Sequence, residues 1–253
     1  GFESIPHLAI YIYEQLTQEA ELKNKYQKAA EAKNLKKRIK SYFSKSRDSR
    51  MNIDFLMKET ESFDFISTKT EEDALVFENK TDEQKSWFQP TPETSLRFMN
   101  EFALPKEASI IDVGGGDSRL ADVLLAQGFT NITVLDISSK ALENAQRRLG
   151  INAQKITWIE SNILDFTPSI QYDCWHDRAV FHFVTDKKEI NAYKILMAGA
   201  LKNNGKLIIG TFSEKGPEMC SGLRVQRYSQ SKLSEALSED FRKIKCMEEI
   251  HHT

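Results

Sequence analysis

The sequence lacks the features that mark disulfide-rich, zinc-binding and membrane-spanning proteins. Its 253 residues include three cysteines, Cys174, Cys220 and Cys246, and no two of them form a C-x-x-C pair. An odd number without that spacing argues against a disulfide framework and a zinc site, and predicts free thiols in a reducing compartment. The apolar run over residues 8–13 is far too short to cross a bilayer, and no basic segment precedes it. These absences predict a cytoplasmic protein without a signal peptide or a membrane span.

Two nucleotide-binding signatures are also missing. The pattern G-x-x-x-x-G-K-[ST] does not occur, which excludes a phosphate-cradling P-loop. A dinucleotide fingerprint G-x-G-x-x-G would begin at Gly114 and continue through Gly116, but its third position is Arg119. The third glycine allows close packing of helix on strand in pyrophosphate binders, so a long Arg there argues against a nicotinamide dinucleotide.

The net charge of the chain is small, but the charged residues are unevenly distributed along it. The net charge of −2 gives no general reason to expect a nucleic-acid partner, although residues 1–50 hold 11 Lys or Arg against 6 Asp or Glu. Leu8, Ile12 and Leu16 share one helical face, and similar patterns continue to residue 43. The pattern predicts a basic helical segment, interpreted as a packing appendage or a homodimerisation helix. A nucleic-acid-binding arm is the less favoured alternative, because the basic residues are spread around the helix.

The sequence does contain a strand, a glycine turn and a helix in succession over residues 109–127. The turn consists of Gly114, Gly115 and Gly116, which lack a Cβ and so let the backbone approach a small ligand closely. Twenty residues past Gly116, a second apolar strand ends in Asp136, and an acid at that spacing can accept hydrogen bonds from both hydroxyls of a ribose. The combination points to a cofactor that contains a nucleoside.

The motif Asp112-x-Gly114-x-Gly116, followed by Asp136, resembles the first two motifs of the class I S-adenosylmethionine-dependent methyltransferases. The resemblance covers about residues 86–250. It implies that Asp112, the three glycines, Asp136 and the adjacent Ile137 bind S-adenosyl-L-methionine. No metal site is expected, because neither His176 nor His182 has a carboxylate or Cys at ligand spacing.

The alternation of apolar runs and helical patterns predicts an α/β fold. We expect a Rossmann-like, doubly wound, mostly parallel sheet with an N-terminal helical appendage. Strands are predicted over residues 109–113, 131–136, 155–160, 171–177, 206–212 and 241–250, and helices over 118–127, 139–149 and 187–202. The resembling enzymes usually add a seventh, antiparallel strand after the sixth, and here that strand is absent, truncated or supplied from elsewhere. The predicted division is a helical segment over 1–50, a connecting or lid segment over 51–95 and a cofactor domain over 96–253.

Further cofactor contacts are implied by the resemblance. After the third strand of these enzymes, an acid or amide binds the adenine amino group beside an apolar residue, and the matching positions are Asn162 and Ile163. Asn162 is alternatively a simple turn residue. Trp87 and Phe88 precede the first core helix, in a segment that often folds over the cofactor in this family. The alternative for this pair is a hydrophobic plug.

The fourth strand carries the candidate catalytic residues. Its sequence Trp175-His176-Asp177-Arg178-Ala179 resembles the fourth motif of thiopurine-methyltransferase-like enzymes, which implies that Asp177 and Arg178 shape the junction of cofactor and acceptor. A salt-bridged pair that holds the loop is the alternative. Strand alternation turns His176 away from Asp177, which predicts a core or interface histidine. His182 lies just after the strand and is a candidate general base.

These observations predict a methyltransferase that uses S-adenosyl-L-methionine and acts on a small molecule or a protein side chain. Nucleic acid is not expected as the acceptor, and no membrane is involved. The main alternative is a non-catalytic protein that keeps the fold and binds the cofactor or its demethylated product. An NAD-dependent oxidoreductase is a second alternative, disfavoured by Arg119.

Overall fold

The structure is a computed structural model that describes residues 7–15, 91–178, 180–220 and 222–250. Internal contacts divide the chain into one unit formed by Gly1–Thr17 and Ser67–Thr253 and another formed by Gln18–Ile66. The second unit lies outside the described residues, as do the predicted helices beyond residue 15 and most of the predicted lid segment. The three predicted domain boundaries therefore stay predictions.

The described residues form nine strands and five α-helices. The strands are β1 (His7–Gln15), β2 (Ser109–Val113), β3 (Asn131–Asp136), β4 (Ile156–Glu160), β5 (Tyr172–Arg178), β6 (Leu201–Phe212), β7 (Met219–Cys220), β8 (Leu223–Arg224) and β9 (Phe241–Ile250). The α-helices are α1 (Glu93–Glu101), α2 (Leu120–Ala126), α3 (Ser139–Leu149), α4 (Lys187–Ala200) and α5 (Gln230–Leu237). Short 3₁₀ helices lie at Gly150–Lys155, Ile163–Asp165 and Phe181–Phe183. No helix of the described residues is long and apolar enough to cross a membrane.

Seven strands form one sheet in the order β4-β3-β2-β5-β6-β1-β9. The pairs that link β4, β3, β2, β5 and β6 are all parallel, whereas β1 is antiparallel to both of its neighbours. The predicted mostly parallel α/β sheet is thus confirmed, and the predicted strands and helices are found with ends shifted by a few residues. The largest shift is in β6, which begins at Leu201 directly after α4 and not at residue 206.

The prediction of a helix over residues 7–15 is wrong, because these residues form strand β1. Leu8 and Ile12 have the i, i+4 spacing of a helix, but the run between them is apolar at every position. Such a run is typical of a strand that is buried on both faces, and periodicity alone does not distinguish the two. Ile12 pairs with Ile208 on β6 and with Lys245 on β9. Of the three alternatives for the antiparallel strand, the structure shows the one in which another part of the chain supplies it.

Side chains alternate between two cores on the opposite faces of the sheet. Ile10, Ile110 and Cys174 belong to the face covered by α1, α2 and α3, whose apolar residues include Phe98, Leu120 and Leu142. Trp175 points to the other face, where its ring lies 6.1 Å from that of Tyr193 on α4. Because β5 is buried on both faces, neighbouring residues of this strand reach different surroundings. This alternation decides where the predicted site residues lie.

Candidate functional site

The glycine turn after β2 forms the centre of the candidate site. Gly114 and Gly116 have positive φ angles of 67° and 33°, which glycine adopts without the strain that a side chain would impose. A Cβ atom on Gly114 would collide with Val180, one on Gly115 would lie 2.6 Å from Oδ2 of Asp112, and one on Gly116 would lie 2.6 Å from Oδ2 of Asp136. All three glycines are therefore required by close packing. Two of them face carboxylates, which places the turn and both predicted acids together.

Asp136 ends strand β3 beside this turn. Its Oδ1 accepts a hydrogen bond of 2.9 Å from the backbone N–H of Ser138, and Ser138 also caps helix α3 through its hydroxyl. Burial raises the pKa of the Asp136 carboxyl to about 6, although the backbone N–H groups of Ser138, Ile137 and Gly116 oppose that rise. The residue is partly buried, as is Ile137. A carboxylate held in this way is suited to accept the hydroxyl hydrogens of a ribose.

Asp112 belongs to a buried chain of three polar side chains. Its Oδ1 lies 2.7 Å from Nδ1 of His176, and Nε2 of His176 lies 2.9 Å from the hydroxyl of Ser95 on helix α1. The three residues are at most 3% exposed. The prediction that His176 is a satisfied core histidine turned away from Asp177 is confirmed. Within the described residues, Oδ2 of Asp112 has no hydrogen-bond partner, and it points toward Gly115.

The predicted adenine contacts lie after strand β4. The side chain of Asn162 accepts a 3.0 Å hydrogen bond from the backbone N–H of Leu164 and caps the short 3₁₀ helix that follows. Ile163 is buried. The backbone N–H of Ser161 donates to the carbonyl oxygen of Asp136, which ties this loop to the end of β3. The turn role of Asn162 is thus observed, and its contact with adenine stays a prediction.

Asp177 is fully buried on the face covered by α4. Its Oδ1 accepts hydrogen bonds from the backbone N–H groups of Val180 and Phe181, and its Oδ2 accepts one of 2.5 Å from the hydroxyl of Tyr193. Burial raises the pKa of this carboxyl to about 6, and these donors oppose the rise. These hydrogen bonds hold the residues that follow β5, and among them Val180 packs against Gly114. The predicted catalytic role of Asp177 stays a prediction.

Arg178 and His182 flank the same loop. Arg178 is partly exposed at the end of β5, next to Gly210 on β6. His182 is fully buried, with its ring stacked at 4.6 Å on that of Phe212 and tilted against Phe183 at 4.5 Å. A general base must reach the acceptor, so this role for His182 depends on movement of the loop and stays a prediction.

Two predicted residues are not placed, and three important ones were not predicted. Trp87 and Phe88 lie outside the described residues. Ser95 holds Asp112 through His176, and Tyr193 holds Asp177. Arg148 holds the backbone that follows the glycine turn. No sequence motif marks these three residues. Their partners are 16 to 81 residues away along the chain, so only the fold brings them together. No cluster of potential metal ligands occurs among the residues that the structure describes.

The fold and this site define the class of the domain. Residues 111–207 match the family described as methyltransferase domain. The resemblance to methyltransferases predicted from the sequence is thereby confirmed for this segment. The predicted cofactor, S-adenosyl-L-methionine, agrees with this family. A second family, described as UvrC-like GIY-YIG domain, matches residues 21–86. This match crosses the predicted boundary at residue 50, and no family was predicted for residues 1–50.

Individual relatives match the two segments separately. Release factor glutamine methyltransferase of Flavobacterium psychrophilum is 30% identical over 114 residues, which are 44% of this chain and 37% of that protein. UvrABC system protein C of Citrifermentans bemidjiense is 48% identical over 48 residues, which are 19% of this chain and 8% of that protein. The chain thus spans only a small part of the curated relatives that it matches.

The solved structure of 1,6-didemethyltoxoflavin-N1-methyltransferase from Burkholderia thailandensis has the same fold. It contains 1,6-didemethyltoxoflavin and S-adenosylhomocysteine. The match has a TM-score of 0.53 and 17% identity, and it covers 70% of this chain and 80% of that one. At this identity the similarity establishes the fold alone.

Proposed function

We propose that this chain binds S-adenosyl-L-methionine at the glycine turn and transfers its methyl group to a small molecule or a protein side chain. One observation carries the proposal: a turn of three glycines, each too closely packed for a Cβ, lies between the carboxylates of Asp112 and Asp136 in a methyltransferase domain. The glycines let the backbone of the turn lie against both carboxylates. The acids supply acceptors for the hydroxyl and amino groups of a ligand. The residues present therefore fit this cofactor.

The chain has to align reactants more than it has to activate them. When bound, S-adenosyl-L-methionine supplies an activated methyl group on a cationic sulfur. The protein then has to hold the acceptor in line and exclude water. The buried hydrogen bonds of Asp177 hold Val180 and Phe181 just beyond the carboxyl end of β5, where open α/β sheets bind their ligands.

The acceptor classes have separate support. The relative named release factor glutamine methyltransferase acts on a protein, and the structural neighbour named for its toxoflavin precursor acts on a small molecule. The finer resemblance to thiopurine methyltransferases rests on residues 175–179 alone. A cytoplasmic location, inferred from the free thiols, also stays a prediction.

Calorimetry with S-adenosylhomocysteine, S-adenosylmethionine and NAD tests the proposal. We expect the first two to bind and NAD not to bind. Asp136→Ala should lose roughly 10- to 100-fold in affinity, because a charge-assisted hydrogen bond contributes on the order of 1.5–3 kcal/mol. The matched control is Asp165→Ala, since Asp165 is an exposed acid after the next strand. Binding of NAD alone, or an unchanged affinity in Asp136→Ala, would contradict the proposal.

Radiolabelled cofactor distinguishes the enzyme from the non-catalytic alternative. Small amines, thiols and cell-extract proteins should be screened as acceptors, and one class should become labelled. A protein that binds the cofactor tightly and labels nothing would favour the alternative. With an acceptor in hand, Asp177→Asn should lower turnover roughly tenfold and change cofactor affinity much less if Asp177 acts in the reaction.

We infer a second candidate function for residues 21–86. This segment matches the UvrC-like family, and residues 21–50 contain eleven Lys or Arg against three acids. That charge suits an anionic polymer such as nucleic acid, with binding that weakens as salt rises. Fluorescence anisotropy with labelled duplex DNA tests it. Replacement of Lys36, Lys37 and Arg38 by Gln should weaken binding, whereas replacement of exposed Lys187 and Lys188 should not.

A further inference from the structure

The side chain of Arg148 binds the backbone that follows the glycine turn. Nη1 donates to the carbonyl oxygen of Asp117 at 3.3 Å and to its Oδ1 at 2.5 Å, and Nη2 donates to the carbonyl oxygen of Ser118 at 2.7 Å. Arg148 lies in the last turn of α3, about 30 residues further along the chain. These contacts therefore connect helix α3 directly to the loop that carries Gly114, Gly115 and Gly116.

The same guanidinium also holds helix α2. Its Nε and Nη2 donate to the two carboxylate oxygens of Asp122 at 3.0 and 2.9 Å, a bidentate arrangement that fixes the plane of the group. Arg148 is 17% exposed and Asp117 13%, so solvent screens this pair less than an ordinary surface ion pair. Burial by itself lowers the pKa of Arg148, but Asp122 and Asp117 more than offset that effect, so the guanidinium stays charged.

Helix α3 meets the glycine loop at a second point. A Cβ on Gly116 would come within 3.3 Å of the Cβ of Ala141, which lies in the first turn of α3. Ala141, Ala145 and Arg148 share one face of that helix by their i, i+4 and i+7 spacing, and a long helical side chain leans back toward the N-terminus. The helix follows directly after β3, which ends at Asp136. The turn is also tied directly to the end of β3, since the backbone N–H of Gly114 donates to the carbonyl oxygen of Leu135 at 2.7 Å. The position of α3 against the loop therefore acts together with this hydrogen bond to set the distance between the glycine turn and Asp136.

We propose that Arg148 is a positioning residue that fixes the glycine turn relative to Asp136 and so sets the affinity for the cofactor. The inference rests on the proposed function, since it assumes that the turn and Asp136 bind one ligand. Arg148 does not contact the ligand in this proposal and affects its binding indirectly, through the position of the loop and of helix α3. The predicted effect is therefore on cofactor binding, and the transfer step at saturating cofactor should be unaffected.

The test compares Arg148→Ala and Arg148→Lys with Arg147→Ala in the full chain. Arg147 is the exposed neighbour of Arg148 in the same helical turn, and it hydrogen-bonds to Asn144 only at the surface. Calorimetry with S-adenosylhomocysteine should show a loss of about tenfold for Arg148→Ala, a smaller loss for Arg148→Lys and none for Arg147→Ala. Hydrogen exchange without ligand should show faster exchange at the amides of residues 114–119 in both Arg148 variants, and not in Arg147→Ala.

The two readouts separate the proposals. If the parent protein does not bind S-adenosylhomocysteine, the proposed function fails, and the exchange data still show whether Arg148 orders the loop. If the parent binds but Arg148→Ala binds equally tightly, or if exchange at residues 114–119 is unchanged, the positioning role is overturned. Should Arg148→Ala not fold, Arg148→Lys decides, because it keeps the charge and loses the bidentate geometry.

Discussion

A Cβ atom on Gly116 would lie 2.6 Å from Oδ2 of Asp136, so the glycine turn and the second acid of the motif are in direct contact across two parallel strands. This contact joins two sequence signals that stand twenty residues apart. It also means that a side chain added at Gly116 would displace the carboxylate of Asp136.

The first prediction compares Gly116→Ala with Gly128→Ala. Both glycines have a positive φ, but a Cβ at Gly128 meets nothing within 4 Å. Gly128→Ala should lose about 1 kcal/mol of unfolding free energy because alanine is strained at positive φ. Gly116→Ala should lose more, because its Cβ also collides with Oδ2 of Asp136. Only Gly116→Ala should also lose at least about tenfold in affinity for S-adenosylhomocysteine, measured by calorimetry. Equal affinities in the two variants would separate the turn from the ligand.

The second prediction concerns the pH dependence of cofactor binding. The pKa of Asp136 is raised to about 6, so in the free protein this carboxyl gains its proton as the pH falls through about 6. Ribose hydroxyls bind the ionised form better, because it offers more acceptor sites. Affinity for S-adenosylhomocysteine should therefore be constant above pH 7 and fall between pH 7 and 5. Asp136→Asn, which does not titrate, should bind more weakly and without this dependence.

The third prediction concerns stability. The pKa of Asp177 rises from 3.8 to about 6 on burial, so the folded state holds a proton that the unfolded chain releases between these values. This stabilisation is fully present below about pH 4 and is lost as the pH rises through about 6. Asp177→Asn keeps the acceptor for Val180 and removes the titration. Its unfolding free energy, relative to the parent, should therefore increase from pH 4 to pH 7 in urea titrations. A constant difference would mean that Asp177 does not titrate in this range.

The fourth prediction tests the chain from Ser95 through His176 to Asp112. Ser95→Ala removes the partner of Nε2 of His176, which is buried and cannot be hydrated. The unfolding free energy should fall by about 1–3 kcal/mol, the usual cost of an unsatisfied buried polar group. Ser231→Ala, at an exposed serine of α5, should change it by less than about 0.5 kcal/mol. Similar small effects in both variants would show that the chain is not a stabilising contact.

The fifth prediction tests the place of strand β1. Ile12 is 1% exposed between β6 and β9, whereas Ile151 is 75% exposed. Ile12→Ala should lower the unfolding free energy by about 2–5 kcal/mol through the cavity it leaves, and Ile151→Ala should have little effect. If Ile12→Ala is as mild as Ile151→Ala, residues 7–15 do not form the inner strand of the sheet.

Much of the candidate cofactor site, formed by the glycine turn and Asp136, could be predicted from the sequence. Strand β3 and helix α3 were predicted with the ends that they have, because apolar periodicity and capping residues act over a few positions. Gly116 and Asp136 were paired from spacing alone, because parallel strands joined by a helix bring their carboxyl ends to one edge.

The remaining assignments depended on contacts between distant residues. Residues 8–13 fit a buried strand or an apolar helical face, and only their pairing with β6, nearly 200 positions away, made them a strand. Asp177 was expected to face the acceptor, yet its place under Tyr193 followed from the packing of α4 on that face of the sheet. Thus the sequence by itself determined the local elements and the cofactor motif, since these depend on neighbouring residues. The tertiary structure alone decided which segment forms the antiparallel strand and which residues become the partners of Asp112, Asp177 and Arg148. The reason is that the free energy of burying a polar group or an apolar strand depends on what the rest of the chain places around it.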